Sequence, residues 1–393
     1  MIVLLHIFLA LLAIPPAFAS LYLLLMTLLS ARATPLPANV RRTKFDVIVP
    51  AHNEAAVIAR TVTSLRQLDW PQDGYRIFTV ADNCTDETAA AARAAGSLVL
   101  ERQDASLRGK GYALDFAFNA SLKERWADAV VVIDADAEVS PNLLEAFAAA
   151  IERGAQAVQA HYGVLNPNAS WRTRLMTIAK GSFHIVRSRA RERMRVSCGI
   201  RGNGWCVTHA LLRAVPYQAF SLAEDLEYGI DLGLAGFRVA YADEAHSNAD
   251  MVSGRQIAGK QRQRWESGRF QLIRTKTGAL LRAAARQRSR ICLDLALDLL
   301  VLPLSYIVLN IALLAATTGL IQFWLPAVRP WLWVSVGCAA CVSAYVLRGW
   351  RLSGIGARGI LDLARAPAFL AWKLILMLRR ESSEWVRTER ERP

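Results

Sequence analysis

Acidic residues, cysteines and linker-like sequence are all scarce in this chain. Of its 393 residues only 33 are Asp or Glu, against 47 Lys or Arg, leaving a formal net charge of +14. None of the six cysteines stands in a zinc-like paired spacing. Cys338-Ala-Ala-Cys341 fits CxxC by pattern alone, inside an apolar run where small thiols pack as ordinary hydrophobes. A zinc-organised fold is thereby excluded, and a reducing compartment is consistent with the count. No internal repeat or low-complexity linker divides the chain. A nucleic-acid motif with interleaved aromatics is missing too. Much of the basic excess lies near apolar runs or in Arg187-Ser-Arg-Ala-Arg-Glu-Arg-Met-Arg195, which reads as surface beside anionic lipid rather than a nucleic-acid site.

Two regions hold long uncharged runs. Residues 1–31 open with MIVLLHIFLALLAIPPAFASLYLLLMTLLS, which carries no charge. Ala17-Phe18-Ala19 resembles a signal-peptide cleavage site, but no positive segment precedes the run and apolar sequence continues to Leu29. An uncleaved transmembrane anchor is therefore expected, kinked at Pro15 and Pro16. Arg32, Arg41, Arg42 and Lys44 hold its downstream flank in the cytoplasm by the positive-inside rule. The second region, 291–347, reads as two transmembrane helices, Ile291–Thr317 and Trp331–Leu347, with residues 318–330 outside. Residues 351–393 read as an interfacial amphipathic helix, at 360–378, and a basic cytoplasmic tail, a third crossing being the alternative. The expected location is the cell (inner or plasma) membrane, multi-pass, with the central domain cytoplasmic.

That central domain, 45–285, alternates strand and helix. FDVIVPA, YRIFTVAD, SLVLER and AVVVIDAD read as strands, separated by helices of apolar period such as EAAVIARTVTSLRQL. This pattern predicts an α/β fold with a mostly parallel sheet and right-handed crossovers, whose ligands bind beyond the carboxyl ends of the strands. His52, Asn53 and Glu54 follow the first strand, Asp82 and Asn83 the second, Asp134 and Asp136 the fourth. All fall on one rim. Further on, IRGNGWCVTHALL reads as a turn entering a helix, and residues 171–195 as one long helix.

The chemistry is carried by acids and a few cations. Asp134 and Asp136, two apart in an extended strand, would share a face, and such a pair can hold a magnesium ion completed by phosphates and water. The plainer alternative is a solvated strand end or helix cap. Asp82 could accept from the ring N–H of a uracil-like base, or be a turn residue. Lys110 sits between two glycines that let a ligand approach the backbone, or is an exposed turn lysine. Glu224 and Asp225 begin a helix, where a general base or a dipole-favoured carboxylate fits equally. Gln261, Arg264 and Trp265 share a helical face able to meet a diphosphate and a sugar ring, or to lie on the membrane.

Taken in order, VPAHNE, ADNCTDET, RGKGYAL, DAD, AED and QRQRW resemble family 2 glycosyltransferases, in particular the membrane-bound cellulose, hyaluronan, chitin and poly-N-acetylglucosamine synthase group. The resemblance covers roughly residues 45–270 and the flanking apolar helices. It implies a GT-A fold (Rossmann-like), a nucleotide-diphosphate sugar donor and inversion at the anomeric carbon. Asp82 matches the base-reading aspartate, Asp136 the ligand of Mg²⁺ or Mn²⁺, Asp225 the catalytic base, and Gln261, Arg264 and Trp265 the frame of the diphosphate. His52, Asn53, Glu54, Lys110 and Asp134 join the donor side; Glu224 and Trp205 the acceptor side. Ala223 stands where the family usually has Thr, and fewer spans are evident than in channel-forming synthases, which weakens the case for a processive polymerase. Single transfer to a lipid-linked or glycan acceptor, a processive synthase, a lipid-phosphate glycosyl synthase (which generally lacks QxxRW) and a non-catalytic donor-sensing scaffold subunit stay open. The partners implied are the sugar donor, the acceptor, the bilayer and other polysaccharide-assembly proteins.

Overall fold

The computed structural model describes residues 2–32, 41–251 and 255–366, side chains of 255–262 excepted. Among the described residues, eight strands form one sheet: β1 (Phe45–Ala51), β2 (Tyr75–Asp82), β3 (Leu98–Arg102), β4 (Ala129–Val132), β5 (Ala137–Val139), β6 (Ala157–Val164), β7 (Trp205–Thr208) and β8 (Val239–Ala249). Their spatial order is β3-β2-β1-β4-β7-β6-β8-β5. The first four in that order are parallel; β7 runs against both β4 and β6, and β5 runs against β8.

Side-chain alternation explains why the central strands are apolar throughout. In β1, Phe45, Val47 and Val49 enter one core and Ile48 the other. In β4, Ala129 and Val131 go one way, Val130 and Val132 the other. A strand covered on both faces needs a continuous rather than alternating hydrophobic run. Because β1, β2 and β4 are parallel, their carboxyl ends share one edge, as the sequence pattern predicts.

Two local readings are corrected. The Val-rich strand ends at Val132, so Asp134 and Asp136 do not share the face of a strand; they stand in a turn closed by Ala137 N donating to Asp134 O at 3.1 Å. Thr61 Oγ1 donates to Ala135 O at 2.7 Å and Arg60 Nη2 to Asp136 O at 3.2 Å, so the turn's carbonyls are satisfied from a neighbouring helix, not a ladder. The segment read as a turn before a helix contains β7, too short for a periodic signal.

Among the described residues, three helices are long and apolar enough to cross a membrane: Ile2–Leu29, Leu304–Ile321 and Pro326–Ser353. The first passes through Pro15 and Pro16 without a break. The span expected from Ile291 begins instead at Leu304, with Pro303 at its N-cap. Residues Arg290–Leu300 form a separate helix whose Asp294 and Asp298 are buried against Arg187 and Arg191. The helix expected at 360–378 lies mostly outside the described residues, as does the tail; only Ala357–Leu363 is seen as helix.

Between the domain and the apolar helices, residues 171–193 form one helical rod interrupted by a π-helical segment, Gly181–Val186. Such segments widen the turn and free a backbone carbonyl. Tyr345 OH donates to Ser182 O at 2.8 Å, supplying the missing partner from helix Arg329–Ser353.

Candidate active site

The rim at the ends of β1 and β2 is built from turns. Asn53 and Asn83 both adopt positive φ, +57° and +50°, which asparagine tolerates better than most residues. His52 Nδ1 lies 2.8 Å from Asp82 O, and Asn53 Oδ1 accepts from Thr85 N at 2.7 Å, joining the two turns. Glu54 N donates to Thr88 Oγ1 at 2.8 Å. Asp82 is buried, and its Oδ1 accepts from Arg102 Nη1 at 2.6 Å at the end of β3. Arg102 thus holds that carboxylate in place.

Some distance along the edge, a denser cluster forms. Helix Lys110–Glu124 delivers Lys110, whose Nζ is 2.5 Å from Asp134 Oδ1, 2.6 Å from Gly202 O and 3.9 Å from Glu224 Oε1. Glu224 and Asp225 begin helix Glu224–Leu234. Loop 199–204 closes the group. Gly202 has φ +87°, and a Cβ there would stand 3.1 Å from Asp225 Oδ2, so glycine is required both by conformation and by the nearness of that carboxylate. Asn203 Oδ1 accepts from Asp134 N at 3.0 Å and Ser247 Oγ at 3.1 Å. Gln159 brackets the loop, accepting from Arg201 N at 2.8 Å and donating to Asn203 O and Gly204 O.

Burial sets the electrostatics. Withdrawal from water raises the Glu224 carboxyl to about 7, Asp225 adding to the rise while Lys110 and Arg264 oppose it. Asp225 is likewise pushed up, chiefly by burial, with the Leu226 backbone N–H, Lys110 and Arg201 opposing. Burial works against the Lys110 charge, but Asp134, Glu224 and Asp225 outweigh it and hold the ammonium above its ordinary value. Three carboxyls crowded around one lysine, two of them raised by burial, are suited to proton transfer.

Comparison with known proteins decides the family. A sequence model described as "Glycosyltransferase like family 2" matches residues 42–291, well over half of the chain. The chain belongs to this family. It is 30% identical over 237 residues to a beta-monoglucosyldiacylglycerol synthase of Synechocystis sp., covering 57% of this chain and 47% of that one. It is 30% identical over 129 residues to the cellulose synthase 1 catalytic subunit of Komagataeibacter xylinus, 30% of this chain and 17% of that one. The chain spans about half the length of the first curated relatives it matches. Among solved structures, a mannosyltransferase of Pyrobaculum calidifontis, crystallised with GDP-Man and Mn²⁺, superposes with TM-score 0.52 at 19% identity, covering 85% of this chain and 98% of that one. The shared fold is GT-A.

Within that family fold, Lys110, Asp134, Glu224 and Asp225 meet, and Arg264 acts on Glu224 through its charge. Arg264 Nε is buried without a hydrogen-bond partner among the described residues, and Trp265 is 37% exposed. The Gln261 side chain lies outside the described residues. Trp205 is a correction. Its ring is buried between Phe118 and Tyr228, at 5.9 and 6.2 Å, because β7 is an interior strand, so it packs the core and offers nothing to an acceptor. Arg102, Gln159, Asn203 and Lys180 escape sequence reasoning. Lys180 is buried over the Tyr162 ring, 3.5 Å from its centroid, and burial lowers its ammonium to about 7 although Asp136 and Asp134 oppose the fall. Only the glycines of RGNG hinted at this wall.

A divalent cation can be tested against this donor set. Among the described residues no three His, Cys, Asp or Glu side chains form a metal cage. Asp136 is a buried carboxylate at the rim, and Asp134 is engaged by Lys110. One or two carboxylates with no cage suit a hard ion that completes its shell from substrate phosphates and water. The residues fit Mg²⁺ or Mn²⁺ in that manner.

Proposed function

We propose that this chain is an inverting membrane glycosyltransferase, moving one sugar from a nucleotide-diphosphate donor, a UDP-sugar by preference, to a hydroxyl of a lipid-linked or glycan acceptor. The observation that carries the reading is the convergence of Lys110, Asp134, Glu224 and Asp225 beside the rim where Asp82 and Asp136 stand. Asp82 would meet the base, with Arg102 fixing one carboxylate oxygen. Lys110 and Asp134 would position the sugar, and Arg264 would receive the leaving diphosphate. Asp225 takes the acceptor hydroxyl's proton as that oxygen bonds to the anomeric carbon, and the carbon–oxygen bond to the diphosphate breaks with the electron pair leaving on the nucleotide. A carboxyl raised by burial is a better proton acceptor than an ordinary aspartate, provided it is ionised at the working pH. Asp136 would hold the divalent cation, which supplies Lewis-acid neutralisation of the diphosphate when bound. The acceptor's membrane nature is supported by the three apolar helices and by glycolipid-forming relatives; the cytoplasmic orientation rests on Arg32, Arg41, Arg42, Arg348 and Arg351.

The test is direct. Purified full-length protein in neutral detergent is offered a panel of labelled nucleotide sugars, and nucleoside diphosphate release is measured with product size. Release coupled to a product carrying one added sugar is expected. A ladder of polymer would favour the processive alternative, and no turnover of any donor would reduce the chain to a non-catalytic scaffold subunit.

A further inference from the structure

Arg201 is a guanidinium without a job in the chemistry above. It is 6% exposed, and its Nε and Nη2 have no hydrogen-bond partner among the described residues. Those two nitrogens form one edge of the guanidinium fork, the edge that takes two oxygens of a carboxylate or phosphate side by side. Leaving such a group unpaired in the interior is costly, and natural interiors rarely do so unless something else supplies the partner.

Its surroundings narrow what that partner is. Arg201 belongs to loop 199–204, next to Gly202, whose backbone lies against Asp225. Its charge reaches the Asp225 carboxylate. On the other side its guanidinium lies 4.3 Å from the centroid of Phe183, in the π-helical segment that packs on transmembrane helix Pro326–Ser353. Arg187, Arg191 and Arg269 also act on Asp298, and with Arg201 they outnumber the two buried acids, Asp294 and Asp298. Positive charge is therefore uncompensated where the membrane helices meet the base.

We propose that Arg201 binds the phosphate of the acceptor, a hydroxyl-bearing phospholipid entering from the membrane side, and so sets its hydroxyl before Asp225. This rests on the transferase reading and deepens it, since it makes the acceptor an anionic lipid rather than neutral diacylglycerol. A soluble phosphate ester carries the same group, and the experiment separates the two sources.

Purified full-length protein in neutral detergent, at salt high enough to screen its basic surface, is given the donor that it turns over. Phosphatidylglycerol, diacylglycerol and glycerol 3-phosphate are compared as acceptors for the wild type, Arg201→Gln and Arg201→Lys. The wild type should prefer phosphatidylglycerol over diacylglycerol by roughly tenfold or more in kcat/KM, as expected for a charged hydrogen-bond pair. That ratio should fall toward one in Arg201→Gln and be partly kept by Arg201→Lys. Equal use of glycerol 3-phosphate would keep the phosphate site but remove the lipid from the proposal. Should Arg201→Gln fail to fold, competition by inorganic phosphate against phosphatidylglycerol, and not against donor, serves in its place; its absence overturns the site. The proposal also fails if diacylglycerol serves the wild type equally well. It fails again if Arg201→Gln keeps the preference and only moves the pH–rate profile to higher pH, which would leave Arg201 as a positioning residue for Asp225. Turnover of no donor at all would instead sink the transferase reading itself.

Discussion

Two buried charge clusters lie within one molecule, and they are finished differently. Beside the apolar helices, Arg187 pairs with Asp298 at 2.8 Å, and Arg191 pairs with Asp294 at 3.0 Å and Asp298 at 3.2 Å. Tyr22 and Tyr345 accept from Arg191 and Arg187 at 3.0 and 2.9 Å, so each of these two cations has a hydroxyl and a carboxylate. Burial alone would raise Asp298, but four guanidiniums hold it well below the ordinary carboxylate range. In the candidate active site the balance is reversed. Lys110 faces three carboxyls, two of them raised. Paired charge locks helix Arg290–Leu300 onto the rod at 171–193, whereas the acid-rich cluster around Lys110 is left open to proton exchange.

The sharpest way to break that distinction is to remove one acid from each cluster. Asp225→Asn should lower transfer about 10²- to 10⁴-fold, the usual worth of a general base. Its melting temperature should hold or rise. A carboxyl whose pKa is higher folded than unfolded opposes folding once pH exceeds the unfolded value, and the amide removes that opposition. Turnover near wild type in the purified variant would refute the base assignment. Asp298→Asn should behave in the opposite sense. It leaves Arg187 and Arg191 short of a counter-charge and should cost on the order of 3–5 kcal/mol in thermal or denaturant unfolding. Any activity loss should then track the folded fraction. If Asp298→Asn instead lowers kcat with stability intact, the Asp298 cluster is part of the chemistry and the distinction collapses.

How much of this was legible in the sequence follows from how local each signal is. The α/β pattern, the shared rim and the motif series were readable because each rests on a few adjacent residues. Asp134 and Asp136 were singled out as strand residues, and that placement was wrong, since a turn two residues long has no period. Asp294 and Asp298 were absorbed into an apolar span because neighbouring leucines outweigh them and their partners, Arg187 and Arg191, are about a hundred residues away. Trp205 was assigned to the acceptor for the same reason. Nothing within four residues tells that β7 inserts between β4 and β6. Gln159 and Asn203 are ordinary polar residues until the loop they bracket is seen.

Trp205 offers a smaller effect that sharpens the contrast. As a core residue, Trp205→Phe should lose about 1–3 kcal/mol of stability, through reduced volume and the lost contact with Tyr228. Acceptor KM should stay at the wild-type value. A several-fold rise in acceptor KM without a stability change would return the ring to the acceptor site.

The smallest expected effect concerns pH. Activity should rise with pH as Asp225 ionises, along an acid limb above the ordinary aspartate range because burial raises that carboxyl. Glu224, at about 7, is a like charge beside it. A neighbouring anion disfavours the ionised form, so Glu224→Gln should move the limb to lower pH. Arg201→Gln should move it the other way, since Arg201 favours the ionised form. The shifts are read from kcat/KM profiles between about pH 5 and 9, which report the essential groups of the free enzyme. Opposite displacements would locate the titrating base between Glu224 and Arg201, at Asp225. Displacements of the same sign would place it elsewhere, and the acid-rich cluster would lose its claim to the proton.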